Sequence, residues 1–142
     1  MGRTRLSSGA RERPVRDGGA SLRILIVDDN RMNIELFSDV LEDDGHQITI
    51  ERDGPAGRDR ALAEPFDLIL LDIQLPGLEG TAVCRALRDA GIERPIVALT
   101  SAAMPEQVSQ GTAAGFDAYL TKPIAPAALR EAVRRHGPAA SR

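Results

Sequence analysis

Read for its hydrophobic and polar positions, the chain divides into a regular alternation from Leu22 onward. "LRILIVDDN" is a continuous apolar run that ends in two acids. Such a run suits a strand covered on both faces, as in a parallel sheet. "RMNIELFSDVLEDDG" follows, with Leu36, Phe37, Val40 and Leu41 placed on one helical stripe and Gly45 as the stop. "HQITIER" alternates Ile48 and Ile50 and reads as a strand, and "DGPAGRDRALAEP" reads as a turn and a short helix that ends before Pro65. "FDLILLDI" is a second fully apolar strand closed by Asp72, and "QLPGLEG" is a loop. "TAVCRALRDAG" is a helix ended by Gly91. "RPIVALTS" is a strand ending at Thr100, and "AMPEQVSQGTAAG" a weak helix with Ser109 and Gly111 inside it. "DAYLTKP" is a short strand, and "APAALREAVRRHG" a final helix stopped near Gly137.

Five strands alternating with five helices predict one α/β domain, a parallel sheet with helices on both faces. The domain is expected over 22–138. A basic tail over 1–21, poor in apolar residues, reads as disordered. Residues 139–142 form a short flexible end.

Composition narrows the function without deciding it. The net charge is −3. Residues 1–21 carry five Arg against Glu12 and Asp17, so the rest of the chain is acidic and no global nucleic-acid footprint exists. The tail is read as a solvated extension rather than an anion-binding arm. No run is long enough for a membrane span, and no apolar stretch follows the charged start to serve as a signal. A cytoplasmic protein is expected. Cys84 is the single cysteine, which excludes an internal disulfide framework, and its mid-helix place reads as a small buried hydrophobe. His46 and His136 read as solvated, and the acidic pair in "LEDDG" as a solvated face.

The chemistry lies at the strand ends. Asp28 and Asp29 follow the first strand, Asp72 the third, Thr100 the fourth and Lys122 the fifth. In an open parallel sheet all carboxyl ends share one edge, where ligands bind at the point of strand-order reversal. Three carboxylates, one hydroxyl and one ammonium should therefore converge. Carboxylates so close cannot all stay ionised without a counter-charge. Mg²⁺ meets that need, because it tolerates one or two carboxylates, keeps waters and shares phosphate oxygens. A carboxylate can also be a nucleophile that forms an aspartyl phosphate. The transferring group needs positive charge on its oxygens, and a hydroxyl can donate to one of them. Lys122 is the only lysine in a chain that otherwise writes Arg. A compact point charge suits one phosphoryl oxygen, whereas the Arg fork suits bidentate pairing.

"ILIVDDN", "LILLDIQLPGLEG", "IVALTS" and "AYLTKPI" together resemble the receiver domain of two-component response regulators, the CheY-like family, over about 22–136. The resemblance implies a flavodoxin-like (βα)₅ sheet of order 2-1-3-4-5. It implies Asp72 as phosphoacceptor, with Mg²⁺ held by Asp29 directly, by Asp28 mostly through water, by Asp72 and by the Gln74 backbone carbonyl. Thr100 and Lys122 would contact the phosphoryl group, and Thr100 and Tyr119 would form the switch. A cis bond before Pro123 is also implied. Ser101 and Ala102 depart from the commonest pattern; Ala102, small and apolar, cannot position a water for hydrolysis.

The resemblance further implies a histidine kinase or histidine phosphotransfer protein as donor. A downstream protein would dock on the face made by the fourth helix, fifth strand and fifth helix. The chain reads as a stand-alone receiver, similar to DivK-type regulators and to receivers of hybrid kinases, monomeric or weakly dimeric. Its catalysis would be limited to its own phosphorylation and dephosphorylation. A degenerate receiver that only docks is the alternative. A haloacid-dehalogenase-type phosphatase is a poorer one, because Asn30 and Gln74 stand where its second Asp would be. A nucleotide-binding module is poorer still, as neither glycine-rich phosphate motif occurs.

Overall fold

A computed structural model describes residues 21–101, 108 and 112–137. The predicted tails (Ser21 excepted), Ala102 and most of the weak helix over 103–115 lie outside these residues; Val108 and residues 112–114 are helical. The elements are β1 (Arg23–Val27), α1 (Arg31–Asp43), β2 (Gln47–Glu51), α2 (Gly54–Ala63), β3 (Leu68–Asp72), α3 (Gly80–Asp89), β4 (Ile96–Thr100), β5 (Ala118–Thr121) and α4 (Pro126–His136). The strands form one parallel sheet in the order β2-β1-β3-β4-β5. The order reverses between β1 and β3, as the sequence reading requires for a site at that edge.

The continuous apolar runs have a direct cause. β3 and β4 are buried at every position. Alternate residues of each strand serve opposite layers. Ile24, Ile26, Leu68 and Leu70 face Phe37 and Leu41 of α1 and Leu129 of α4. Leu25, Val27, Ile69 and Leu71 face Ala61 of α2 and Val83, Cys84 and Leu87 of α3. Two apolar layers back to back hold the sheet rigid, and burial of this kind supplies most of the driving force for folding.

Local chemistry sets the helix starts. Asn30 caps α1 by accepting from the Asn33 amide at 3.0 Å, and Asp53 caps α2 by accepting from the Ala56 amide at 2.8 Å. Both turns lie on the carboxyl edge of the sheet.

Three sequence expectations are corrected. The buried stripe of α1 is Ile34, Phe37, Val40 and Leu41, whereas Leu36 is 39% exposed. Spacings of three and four from Ile34 stay on one face; Leu36 falls beside it. Of the "LEDDG" acids, Glu42 is exposed and Asp43 partly so, but Asp44 is not on a solvated face. Asp44 is buried at the end of α1 and accepts from Arg130 Nε of α4 at 2.8 Å. His46 is not solvated either: it is partly buried, and its Nδ1 accepts from the Leu22 amide at 3.1 Å. Cys84 is fully buried, as expected, and burial pushes its thiol up to about 11. Among the described residues no helix is long and apolar enough to cross a membrane.

Candidate functional site

Each predicted acid is placed by the end of a strand. Asp28 directly follows β1, and its amide extends the ladder by donating to the Glu51 carbonyl at 3.1 Å. Asp72 is the last residue of β3. Both carboxylates turn back on the chain in the same way. Asp28 Oδ1 accepts from the Asn30 amide at 2.9 Å, and Asp72 Oδ1 accepts from the Gln74 amide at 3.0 Å. Such turns fix a short acidic side chain against its own backbone. Gly80 closes the loop after Asp72: its amide donates to the Ile73 carbonyl at 2.8 Å, and a Cβ there would lie 2.2 Å from the Asp72 carbonyl oxygen.

Carboxylate oxygens of Asp28, Asp29 and Asp72 lie within 4.8 Å of one another. Asp28 and Asp72 are buried, at 0% and 4% exposure, whereas Asp29 opens to solvent. Lys122 enters from the far side of the sheet. Its amide donates to the Thr100 carbonyl at 2.7 Å, which anchors the chain just after β5. Its Nζ then donates to Asp72 Oδ2 at 2.8 Å and stands 3.2 Å from Asp28 Oδ2. The Lys122–Pro123 bond is cis.

The charges answer one another. Burial lifts the Asp72 carboxyl above its usual range; the Lys122 and Gln74 donors pull it back, and Asp28 raises it further. Burial pulls Lys122 down, but the Asp72 and Asp28 carboxylates outweigh it and hold the ammonium above its ordinary value. One cation among three acids leaves the cluster short of positive charge.

Asp28 Oδ2 is buried, and the Lys122 ammonium, at 3.2 Å, is the nearest positive charge to it among the described residues. A buried carboxylate oxygen that shares its one cation with a second carboxylate is left undercompensated. A small hard cation with oxygen ligands would satisfy it, so the donor set fits Mg²⁺.

The other predicted residues have separate settings. Thr100 ends β4 and is buried. Gln74 is exposed and touches Asp72 through its amide. Tyr119 belongs to a different neighbourhood. Its hydroxyl donates to the Val108 carbonyl at 2.7 Å and lies 3.3 Å from Thr112 Oγ1, and its ring tilts against Phe116. His136 is partly buried at the end of α4, apart from the strand-end acids in sequence and element. One rim residue escapes the sequence reading: Arg52, whose guanidinium reaches the Asp29 carbonyl at 3.4 Å. The available signal is topological, since the β2–α2 turn lies on the same sheet edge.

A doubly wound parallel sheet of this strand order, with acids at its strand ends, defines a CheY-like fold. The chain belongs to the response regulator receiver domain family, whose pattern matches residues 24–134. It is 40% identical over 116 residues to the sensor histidine kinase GacS of Pseudomonas protegens, covering 78% of this chain and 13% of that protein. It is 36% identical over 103 residues to the transcriptional regulatory protein DltR of Streptococcus agalactiae, covering 72% of this chain and 46% of that one. The chain thus spans less than half the length of these curated relatives.

Among solved structures it resembles the chemotaxis protein CheY4 of Vibrio cholerae. The TM-score is 0.78 and the identity 29%, with 82% of this chain and 99% of that one covered. It also resembles the receiver domain of the sensor histidine kinase PA1611 of Pseudomonas aeruginosa, which carries a magnesium ion in its active-site cleft. There the TM-score is 0.76 and the identity 33%, with 82% of this chain and 98% of that one covered.

Proposed function

We propose that this chain accepts a phosphoryl group on Asp72 from a phosphohistidine of a histidine kinase or histidine phosphotransfer protein. The observation that carries the reading is the gathering of Asp28, Asp29 and Asp72 around Lys122. Membership of the receiver family supports it.

In the transfer a carboxylate oxygen of Asp72 attacks phosphorus while the phosphorus–nitrogen bond to imidazole breaks. The imidazole leaves with the bonding pair, and Asp72 keeps the group as an acyl phosphate. Asp28, Asp29, Asp72 and the Gln74 carbonyl would hold Mg²⁺. When bound, the ion supplies positive charge to the phosphoryl oxygens and orients them. The chain's own residues do the rest. The Gln74 amide orients the Asp72 carboxylate. Lys122 is held beside the reacting oxygen and offers its ammonium to a phosphoryl oxygen. Burial keeps bulk water from Asp72, where electrostatic contacts gain strength.

The new charge would then draw the Thr100 hydroxyl, and Tyr119 would leave the Val108 carbonyl. The surface of β5 and α4 changes with it, and a partner docks there or takes the phosphoryl group onward. The test is chemical trapping. After incubation with acetyl phosphate, borohydride reduces an acyl phosphate to an alcohol. A homoserine at position 72, read by peptide mass mapping, is the expected outcome; a modification at another residue rejects the assignment.

A further inference from the structure

The β1–β3 ladder stops one residue short of the acids, at Val27 opposite Leu71. Asp28 and Asp29 therefore stand on one loop and Asp72 leads into another. The turn between β2 and α2 touches both. On one side the Asp28 amide donates to the Glu51 carbonyl at 3.1 Å, and Arg52 reaches the Asp29 carbonyl at 3.4 Å. On the other, the Gly54 amide donates to the Pro76 carbonyl at 3.1 Å. A Cβ on Gly54 would lie 2.0 Å from the Leu78 carbonyl oxygen and 2.7 Å from Leu78 Cβ. Backbone meets backbone there, with no flexible side chain to give way.

Conformation does not explain this glycine. Gly54 opens α2 and is not among the glycines with positive φ. Any residue could adopt its backbone, so the missing Cβ is the requirement. What it allows is contact with the loop over 73–79, which presents the Gln74 amide to Asp72 Oδ1. From the other side of the contact, Gly77 has φ +83 and lies so close that a Cβ would be 3.0 Å from Pro55 Cδ.

We infer that Gly54 is a positioning residue for the cation site. The turn 52–54 straps the Asp28–Asp29 loop to the Asp72 loop and sets the gap between their carboxylates. This rests on the reading that the gap holds Mg²⁺. Pushing the Asp72 loop outward widens the gap, and Mg²⁺ tolerates little departure from its octahedral geometry.

The experiment is a calorimetric Mg²⁺ titration of the full chain, with thermal unfolding measured in parallel. Gly54→Ala should weaken Mg²⁺ binding about tenfold or more, the range found when groups that orient metal ligands are lost. Ala63→Gly, at the exposed far end of α2, should lower stability and leave Mg²⁺ affinity unchanged. Gly77→Ala presses on the neighbouring Pro55 from the loop side and strains its own backbone at φ +83, so it should weaken binding too, and it carries the test if Gly54→Ala does not fold. Lower stability with wild-type Mg²⁺ affinity in the folded variants would reduce Gly54 to packing and overturn the inference alone. A wild type that binds no Mg²⁺ would overturn the cation reading and the strap together.

Discussion

The ammonium of Lys122 stands 2.8 Å from Asp72 Oδ2, across fifty residues of sequence. The same nitrogen is 3.2 Å from Asp28 Oδ2. A compact point charge fits between two carboxylates at the ends of different strands; a planar guanidinium would have to choose one of them. This accounts for one lysine in a chain that otherwise uses arginine.

Lys122→Met should slow phosphoryl uptake from acetyl phosphate by about 10²-fold, as loss of one preorganised donor does. Lys122→Arg should fold and still react more slowly than wild type, because it keeps the charge and loses the fit. Rates followed by intact mass decide both. A wild-type rate in the arginine variant would reject this account of the lysine.

Asp72→Asn should be more stable than wild type at neutral pH. Burial and the Asp28 charge raise the Asp72 carboxyl despite Lys122, so the folded chain holds that proton more tightly than the unfolded one. Ionising Asp72 therefore weakens the fold as pH rises through its folded value. The advantage of Asn should appear above that value and vanish well below 3.8, the ordinary carboxyl value. Thermal unfolding at the two extremes tests it; equal stability at neutral pH would contradict it.

His46 predicts a loss of stability on acidification. Burial lowers its pKa, with Asp44 pulling the other way, and Nδ1 is occupied as an acceptor of the Leu22 amide. The unfolded chain binds the proton first. The His46 contribution is thus complete above 6.5 and declines as pH falls from there through the lower folded value. His46→Asn should flatten this part of the stability profile, and an unchanged slope would assign the effect elsewhere.

Tyr119 is the single tyrosine in a chain without tryptophan, so its fluorescence reports one place. Tyr119→Phe removes the bond to the Val108 carbonyl and should cost about 1 kcal/mol. In the wild type, beryllofluoride with Mg²⁺ should change the tyrosine emission as the hydroxyl leaves that carbonyl. Unaltered emission at saturating beryllofluoride would remove Tyr119 from the switch.

Much of the fold and of the site is legible in the sequence itself. Strands buried on both faces must be apolar throughout, so β1, β3 and β4 announce themselves, and parallel topology then brings their terminal acids together. Contacts between distant segments leave no such mark. Asp44 looks solvated until Arg130, eighty-six residues away, arrives from α4. His46 looks solvated until Leu22 donates to it. Leu36 passes for core because composition favours it, while Ile34 has the better angular position. Arg52 and Gly54 read as an ordinary turn, because close approach of two backbones is encoded by the absence of a side chain.

The central claim is phosphoryl acceptance by Asp72, and intact-mass spectrometry after incubation with acetyl phosphate addresses it most directly. The chain is compared with and without Mg²⁺, beside Asp72→Ala. One added phosphoryl group that requires both Mg²⁺ and Asp72 is the predicted result. An adduct that survives in Asp72→Ala, or no adduct on a wild type sampled from milliseconds onward, would contradict it.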